Sequence, residues 1–315
     1  PGYITYRGMV SPRKAASKSL KITLEKQLDV LRQKSRKSIN TSSGHVVRIV
    51  PIDGEVEFKM GASRRERGRR SNETLYPVGL TKSFAIGEAE VTNAMYRRFR
   101  PNHNSGSGLN GDAQPAVSLT WDDAARYLNW ISELEGHPPA YHEEKKRMVA
   151  ILPLTMGYRL PTEAEWVYVA RYEAGKRSKS NPLKFPWGFS MPPIARSGNF
   201  ADQTAAGLVP IQIQGYRDGY RKTSPVRSFR ANILGLYDVG GNAAEWINDF
   251  YDASAGGRKL SRDPTGPKSG RFHVIRGSSW RHGSITELRL SFRDYSDEKR
   301  NDIGFRIARY VQIPN

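Results

Sequence analysis

Residues 235–246 read Gly-Leu-Tyr-Asp-Val-Gly-Gly-Asn-Ala-Ala-Glu-Trp, and no other stretch of the chain restricts its own backbone so heavily. Gly235, Gly240 and Gly241 reach dihedral angles that other residues resist, so the chain can fold tightly on itself here. A tight loop turns carbonyl oxygens inward, and Asp238 and Glu245 add carboxylates, with Tyr237 and Trp246 as aromatic anchors. Carboxylate and carbonyl oxygens together are the ligands that calcium takes. The same residues also read as a plain glycine-rich turn before an amphipathic segment.

The chain has 315 residues, enough for one large domain or two smaller ones. No run of eighteen apolar residues occurs, so no membrane-spanning helix is predicted. The sequence starts at Pro1 without a leader pattern, and more chain is expected upstream of it. With no cysteine, disulfides, thiolate metal sites and cysteine nucleophiles are excluded. The net charge is +19, and residues 1–80 alone hold 17 Lys or Arg against 7 Asp or Glu. Such an excess draws polyanions. Its basic residues are not interleaved with stacking aromatics and match no nucleic-acid module, so nucleic acid is not the expected partner.

Short β-prone runs at residues 3–6, 20–24 and 46–50 predict strands, as do residues 274–276 and 305–307. Residues 27–43 are polar and basic, and a domain boundary is placed in the loop at residues 40–44. The densest basic cluster is residues 60–73. Three helices announce themselves by their caps. Thr92 starts one over residues 93–99. Thr120 starts another, with a stripe of Trp121, Ala124, Ala125, Leu128, Ile131 and Leu134 that ends at Gly136. Thr162 and Glu165 form a capping box for the third, whose expected buried face is Trp166, Val169 and Ala170. After Gly175 the helical periodicity fades into short pieces between Gly, Pro, Asn and Asp, and such long irregular loops need something to fix them.

Seven fragments carry a resemblance when taken in order. They are Glu90-Val91-Thr92-Asn93, Trp121-Asp122-Asp123-Ala124, residues 158–166, Pro186-Trp187-Gly188, residues 235–246, Arg276-Gly277-Ser278-Ser279-Trp280 and Gly304-Phe305-Arg306. Over residues 46–315 the chain resembles the formylglycine-generating enzyme (sulfatase-modifying factor) family. The resemblance implies an α+β class protein with a variant C-type-lectin-like fold, few regular elements, long loops and two calcium ions. Residues 1–27 resemble the C-terminal strands of a PEGA-type β-domain, with residues 28–45 as a basic linker.

Carried over position by position, the resemblance implies one calcium site at Asn199, Phe200, Asp218 and Tyr220. It implies a second at Asp238, Gly241, Ala243 and Glu245, with Gly241 and Ala243 supplying carbonyls. The catalytic residues do not carry over. The family's oxidase holds copper on two cysteines spaced five apart, and His282 and Glu287 stand at those positions. A His and a carboxylate do not replace two soft thiolates, so formylglycine generation by that route is excluded; a harder, iron-type site would need a second His. No phosphate-binding glycine loop and no G-x-S-x-G elbow occurs. Trp121, Trp166, Trp187 and Trp246 read as core.

Three functions follow as expectations. The first is a non-catalytic binding module of an envelope or cell-surface protein. In that reading a groove of Ser279, Trp280, Arg281, His282, Glu287 and Arg293 holds a protein or glycan. The second is a metal-dependent oxidoreductase of non-heme iron type; iron or copper is not the expected cofactor, but this reading needs one. The third is a basic scaffold for an acidic polymer. The first places the chain in the periplasm or at the cell surface, anchored through sequence upstream of Pro1.

Overall fold

The computed structural model describes residues 38–173, 175 and 181–312. The expected strands at residues 3–6 and 20–24, and the PEGA-like residues 1–27, lie outside the described residues. The strands are β1 (Ser38–Asn40), β2 (Val46–Val50), β3 (Val56–Met60), β4 (Tyr76–Leu80), β5 (Phe84–Gly87), β6 (Tyr141–Glu144), β7 (Arg147–Ala150), β8 (Ala244–Phe250), β9 (Ser261–Arg262), β10 (His273–Arg276), β11 (Arg293–Ser296), β12 (Ile303–Gly304) and β13 (Ala308–Tyr310). The helices are α1 (Asn93–Arg97), α2 (Trp121–Leu134) and α3 (Glu163–Arg171).

Strands β8 and β10 are buried on both faces, and alternation along them sorts the core into two halves. Ile247 and Val274 join the cluster around α3, with Trp166, Val167 and Leu236. Trp246 and Ile275 join the cluster around α2, with Tyr127, Leu128 and Phe305. The central sheet runs β11-β10-β8-β12, with β12 parallel to β8 and the other pairs antiparallel. A second sheet, β1-β2-β5-β13, is antiparallel throughout. A three-stranded β3-β4-β9 sheet and the β6–β7 hairpin complete the described strands.

The caps place the helices as expected. Thr92, Thr120 and Thr162 each accept from a backbone N–H of their helix, and the latter two form full capping boxes. Two expectations need correcting. Residues 305–307 are not a strand: they bridge β12 and β13, bonding to Gly87 and Val91 outside any ladder. Nor is α3 buried along one stripe, since every residue from Glu163 to Arg171 is buried. Its polar side chains face internal partners instead of water. Arg293 grips both oxygens of Glu163 at 2.6 and 3.0 Å, and Arg159 grips both of Glu165 at 2.6 and 2.7 Å. Ser38–Asn40, within the expected linker, pair with β2.

Because Thr162 accepts from Glu165 N–H at 3.2 Å, Thr162→Ala is expected to lower stability by about 1 kcal/mol. Thr162→Ser should restore most of it. Urea midpoints of the three proteins test this, and an unchanged midpoint for the Ala variant would show that the cap contributes nothing.

Candidate functional site

The fold brings three segments to one end of the central sheet. β8 begins directly after the glycine run, and its Glu245 pairs with Arg276 at the end of β10 and with Gly304 of β12. The glycine loop, the loop after β10 and the residues before β12 therefore converge. Backbone bonds knit them together: Gly241 N–H donates to Ser278 O at 3.0 Å, Trp280 N–H to Asn242 O at 2.9 Å, and Asn242 N–H to Asn199 O at 2.8 Å. The loop is left-handed at Asp238, Gly240, Gly241 and Asn242. At Gly240 a Cβ would meet Pro186 at 2.8 Å, and at Gly241 it would meet Phe200 at 3.1 Å, so glycine is needed at both for space as well as for dihedral freedom.

Around this loop sits a buried acidic group. Glu245 is held by Arg306, at 2.6 Å to Oε1 and 2.7 Å to Oε2, and by Trp166 Nε1–H at 2.9 Å. Asp238 accepts Arg227 N–H at 2.8 Å through Oδ2, and Glu90 accepts Ala243 N–H at 3.2 Å through Oε1. The other oxygens, Asp238 Oδ1 and Glu90 Oε2, are buried without a partner. Burial pushes the Asp238 carboxyl up to about 6. Burial, with repulsion from Asp238 and Glu245, pushes Glu90 well above the usual carboxylate range. Asp238 lies near enough for its charge to raise the Glu90 carboxyl. Two neighbouring buried carboxyls favour a shared proton or a cation between them.

The Asn199 group lies alongside. Its Oδ1 is also buried and unpaired, while its Nδ2 donates to Lys222 O at 2.6 Å. Asp218 accepts Phe200 N–H at 2.9 Å and Tyr220 N–H at 2.8 Å, and burial raises its pKa to about 7. Each implied calcium site thus has an orphaned, buried oxygen, and each donor set is the oxygen-only mixture that suits a hard cation. Among the described residues no three His, Asp or Glu side chains converge to hold a metal by themselves. Carbonyl and amide oxygens would have to complete either site.

Of the six expected groove residues, Ser279, Trp280, Arg281 and His282 follow one another in the loop after β10. Ser279 donates its hydroxyl to Asp302 Oδ2 at 2.9 Å, and its backbone N–H donates to His282 Nδ1 at 3.0 Å. An accepting Nδ1 puts the proton of the neutral ring on Nε2, and burial lowers the ring's pKa. Glu287 accepts the Ser284 hydroxyl at 2.7 Å. Trp280 is buried, with the exposed Arg281 over its ring at 5.6 Å. Arg293 lies apart from this set, its fork filled by Glu163. Burial would raise the Asp302 carboxyl, but Arg300, bound at 3.0 Å to each oxygen, outweighs it and holds the group below its ordinary value.

The other histidines near motifs serve packing. His273 is stacked between Trp121 and Phe250 at 3.8 and 4.2 Å, and His103 contacts Ser105. Trp121, Trp166 and Trp246 are core, as expected, and Trp187 stacks on Phe185. Sequence reasoning missed Glu90, Asp302 and Arg306 as site residues. Glu90 and Arg306 do lie inside two of the seven quoted motifs, so a signal for them was present.

Comparison with known proteins bears on the family and the fold. Residues 40–311 match the Sulfatase-modifying factor enzyme 1-like domain. The chain is 30% identical over 214 residues to the formylglycine-generating enzyme of Streptomyces coelicolor, across 66% of this chain and 53% of that protein. It is 32% identical over 216 residues to that of Thermomonospora curvata, across 66% and 56%. The matched stretch thus spans about half the length of these relatives. PvdO from Pseudomonas aeruginosa has the same fold at 24% identity, with a TM-score of 0.63, covering 88% of this chain and 99% of that one.

Proposed function

The chain belongs to the sulfatase-modifying factor enzyme 1-like family, and from that premise we propose that it is a calcium-stabilised binding module that does not perform the family's copper oxidation. The observation that carries this is the state of the two positions where the resemblance puts a cysteine pair. His282 Nδ1 accepts a backbone N–H, and Glu287 is tied to Ser284. Both are engaged in holding their own loop. Around them the scaffold keeps its oxygen donors, and the orphaned oxygens of Asn199, Asp238 and Glu90 support two bound calcium ions.

Partner contact falls to the exposed edge of this loop, where Arg281 lies over Trp280 and donates to Asn301 at 3.0 Å. A guanidinium over an indole suits a carboxylate-bearing protein segment or glycan. Modest-affinity calcium modules fill only where calcium is abundant, which supports a periplasmic or cell-surface location. Fold membership alone does not decide activity. The test is metal analysis of the purified protein together with oxygen uptake over a panel of peptides and thiols. The expected result is about two calcium ions per chain, no stoichiometric iron or copper, and no uptake. Stoichiometric iron or copper that disappears in His282→Ala, along with turnover, would overturn the reading in favour of an oxidoreductase.

A further inference from the structure

The basic run at residues 60–73 has no part in the site above. Arg64, Arg65, Arg67 and Arg70 stand exposed on it. The run is pinned from inside: Arg289 reaches Glu73 at 2.6 Å and Glu66 at 2.9 Å, and Arg69 Nε donates to Ala62 O at 3.1 Å.

Beneath it lie four buried guanidiniums, those of Arg171, Arg276, Arg289 and Arg293. Among the described residues three carboxylates, those of Glu66, Glu73 and Glu163, lie within 4.0 Å of them. Arg289 takes both oxygens of Glu73 and one of Glu66. Glu163 is gripped by Arg293 and stands 3.7 Å from Arg276. Glu66 Oε2 is 4.0 Å from Arg171. Asp249 is also near, but burial and Glu163 push its pKa well above the carboxylate range, so it adds little charge. Four cations share three anions. The imbalance tells on the two least paired: burial, with repulsion from neighbouring arginines, lowers Arg171 and brings Arg276 down to about 10. Arg276 is satisfied by the carbonyls of Leu290, Ser291 and Phe292, which leaves Arg171 as the guanidinium that an arriving anion would serve best.

The shortfall meets open space at Arg171. A cavity of about 370 Å³ is lined by Lys59, Ser63, Glu66, Arg171, Asn181 and Lys184. Arg171 spends Nε on Leu183 O at 3.2 Å and Nη1 on Gly61 O at 2.5 Å. Among the described residues its Nη2 has no carboxylate nearer than Glu66. We propose that this cavity binds the anionic head, phosphate or carboxylate, of a small organic ligand on Arg171, with Lys59 and Lys184 closing around it. A planar guanidinium and two ammonium groups in one lining suit an oxyanion with several acceptor oxygens. Arg64 and Arg65, next to Ser63 at the rim, add attraction at longer range. The site shares no residue with the glycine loop or with His282, so it stands or falls independently of the binding-module reading.

Isothermal titration of the full chain with inorganic phosphate and, separately, with succinate tests this, at fixed ionic strength and with chloride as the background anion. The expected result is saturable binding of at least one of the two, weakened about tenfold or more by Lys59→Glu/Lys184→Glu. Binding of phosphate alone names a phosphorylated ligand, and binding of succinate alone names a carboxylate. No saturable heat with either anion would overturn the proposal, as would equal affinity in the charge-reversed protein. Should that protein not fold, Lys59→Ala, on an exposed side chain, replaces it. A several-fold loss is then expected, and unchanged affinity counts against the site.

Discussion

Trp166→Ala is expected to destabilise the domain by on the order of 3–5 kcal/mol, the range for truncating a buried aromatic. The indole is wholly buried in the α3 half of the core and reaches the site through Glu245. A Cβ on Gly277 would already touch its ring at 3.3 Å, and the Arg276 guanidinium lies over it at 5.2 Å. Truncation therefore opens a void that its rigid neighbours cannot close. It also removes the N–H that binds Glu245 Oε2, leaving a buried carboxylate one donor short. Trp166→Phe separates the two effects. It keeps most of the volume and loses the N–H, so its cost should fall near the roughly 1.5–3 kcal/mol of a hydrogen bond to a charged group. A loss below about 1 kcal/mol for the Ala variant in denaturant melts would mean that α3 is peripheral, against its central burial.

Which features were legible in the sequence follows from the range of the interactions behind them. Thr92, Thr120 and Thr162 cap helices through atoms three residues away, so a short window suffices to find them. The β-branched run of β2 is equally local. The polar face of α3 could not be read in this way. Glu163 finds Arg293 at a separation of 130 residues, and no pattern near Glu163 announces a cation. Arg293 falls outside the expected groove for the same reason: its neighbours in sequence are not its neighbours in space. Residues 305–307 have strand composition, yet they carry Arg306 inward to Glu245, 61 residues away, and leave the ladder to do so. The candidate site was legible in part: the glycine run itself singles out Asp238 and Glu245, and the family resemblance adds Asn199 and Asp218. The Glu90 carboxylate near Asp238 required coordinates.

The second large effect concerns calcium, and its sign depends on pH. In metal-free protein Asp238 titrates at about 6 and Asp218 at about 7, both raised by burial from the ordinary 3.8. Between those values the folded chain holds more protons than the unfolded chain, so stability falls as pH rises from about 4 through about 7. At 1.36 kcal/mol per unit the loss is on the order of 2–3 kcal/mol from each group, with Asp218 discounted for its partial exposure. Calcium reverses the trend, because it binds the ionised carboxylates that the empty loop disfavours. A hundredfold excess over Kd adds about 2.7 kcal/mol per site. Melts in chelator should therefore drop between pH 5 and pH 7.5, and melts in millimolar calcium should not. Asp238→Asn sharpens the test: it removes one charge from the Glu90–Asp238–Glu245 group, so it should raise metal-free stability near neutral pH while shrinking the response to calcium. A variant that only destabilises, or a wild-type melt indifferent to calcium at pH 7.5, would mean that the two facing carboxyls share a proton and that no cation belongs there.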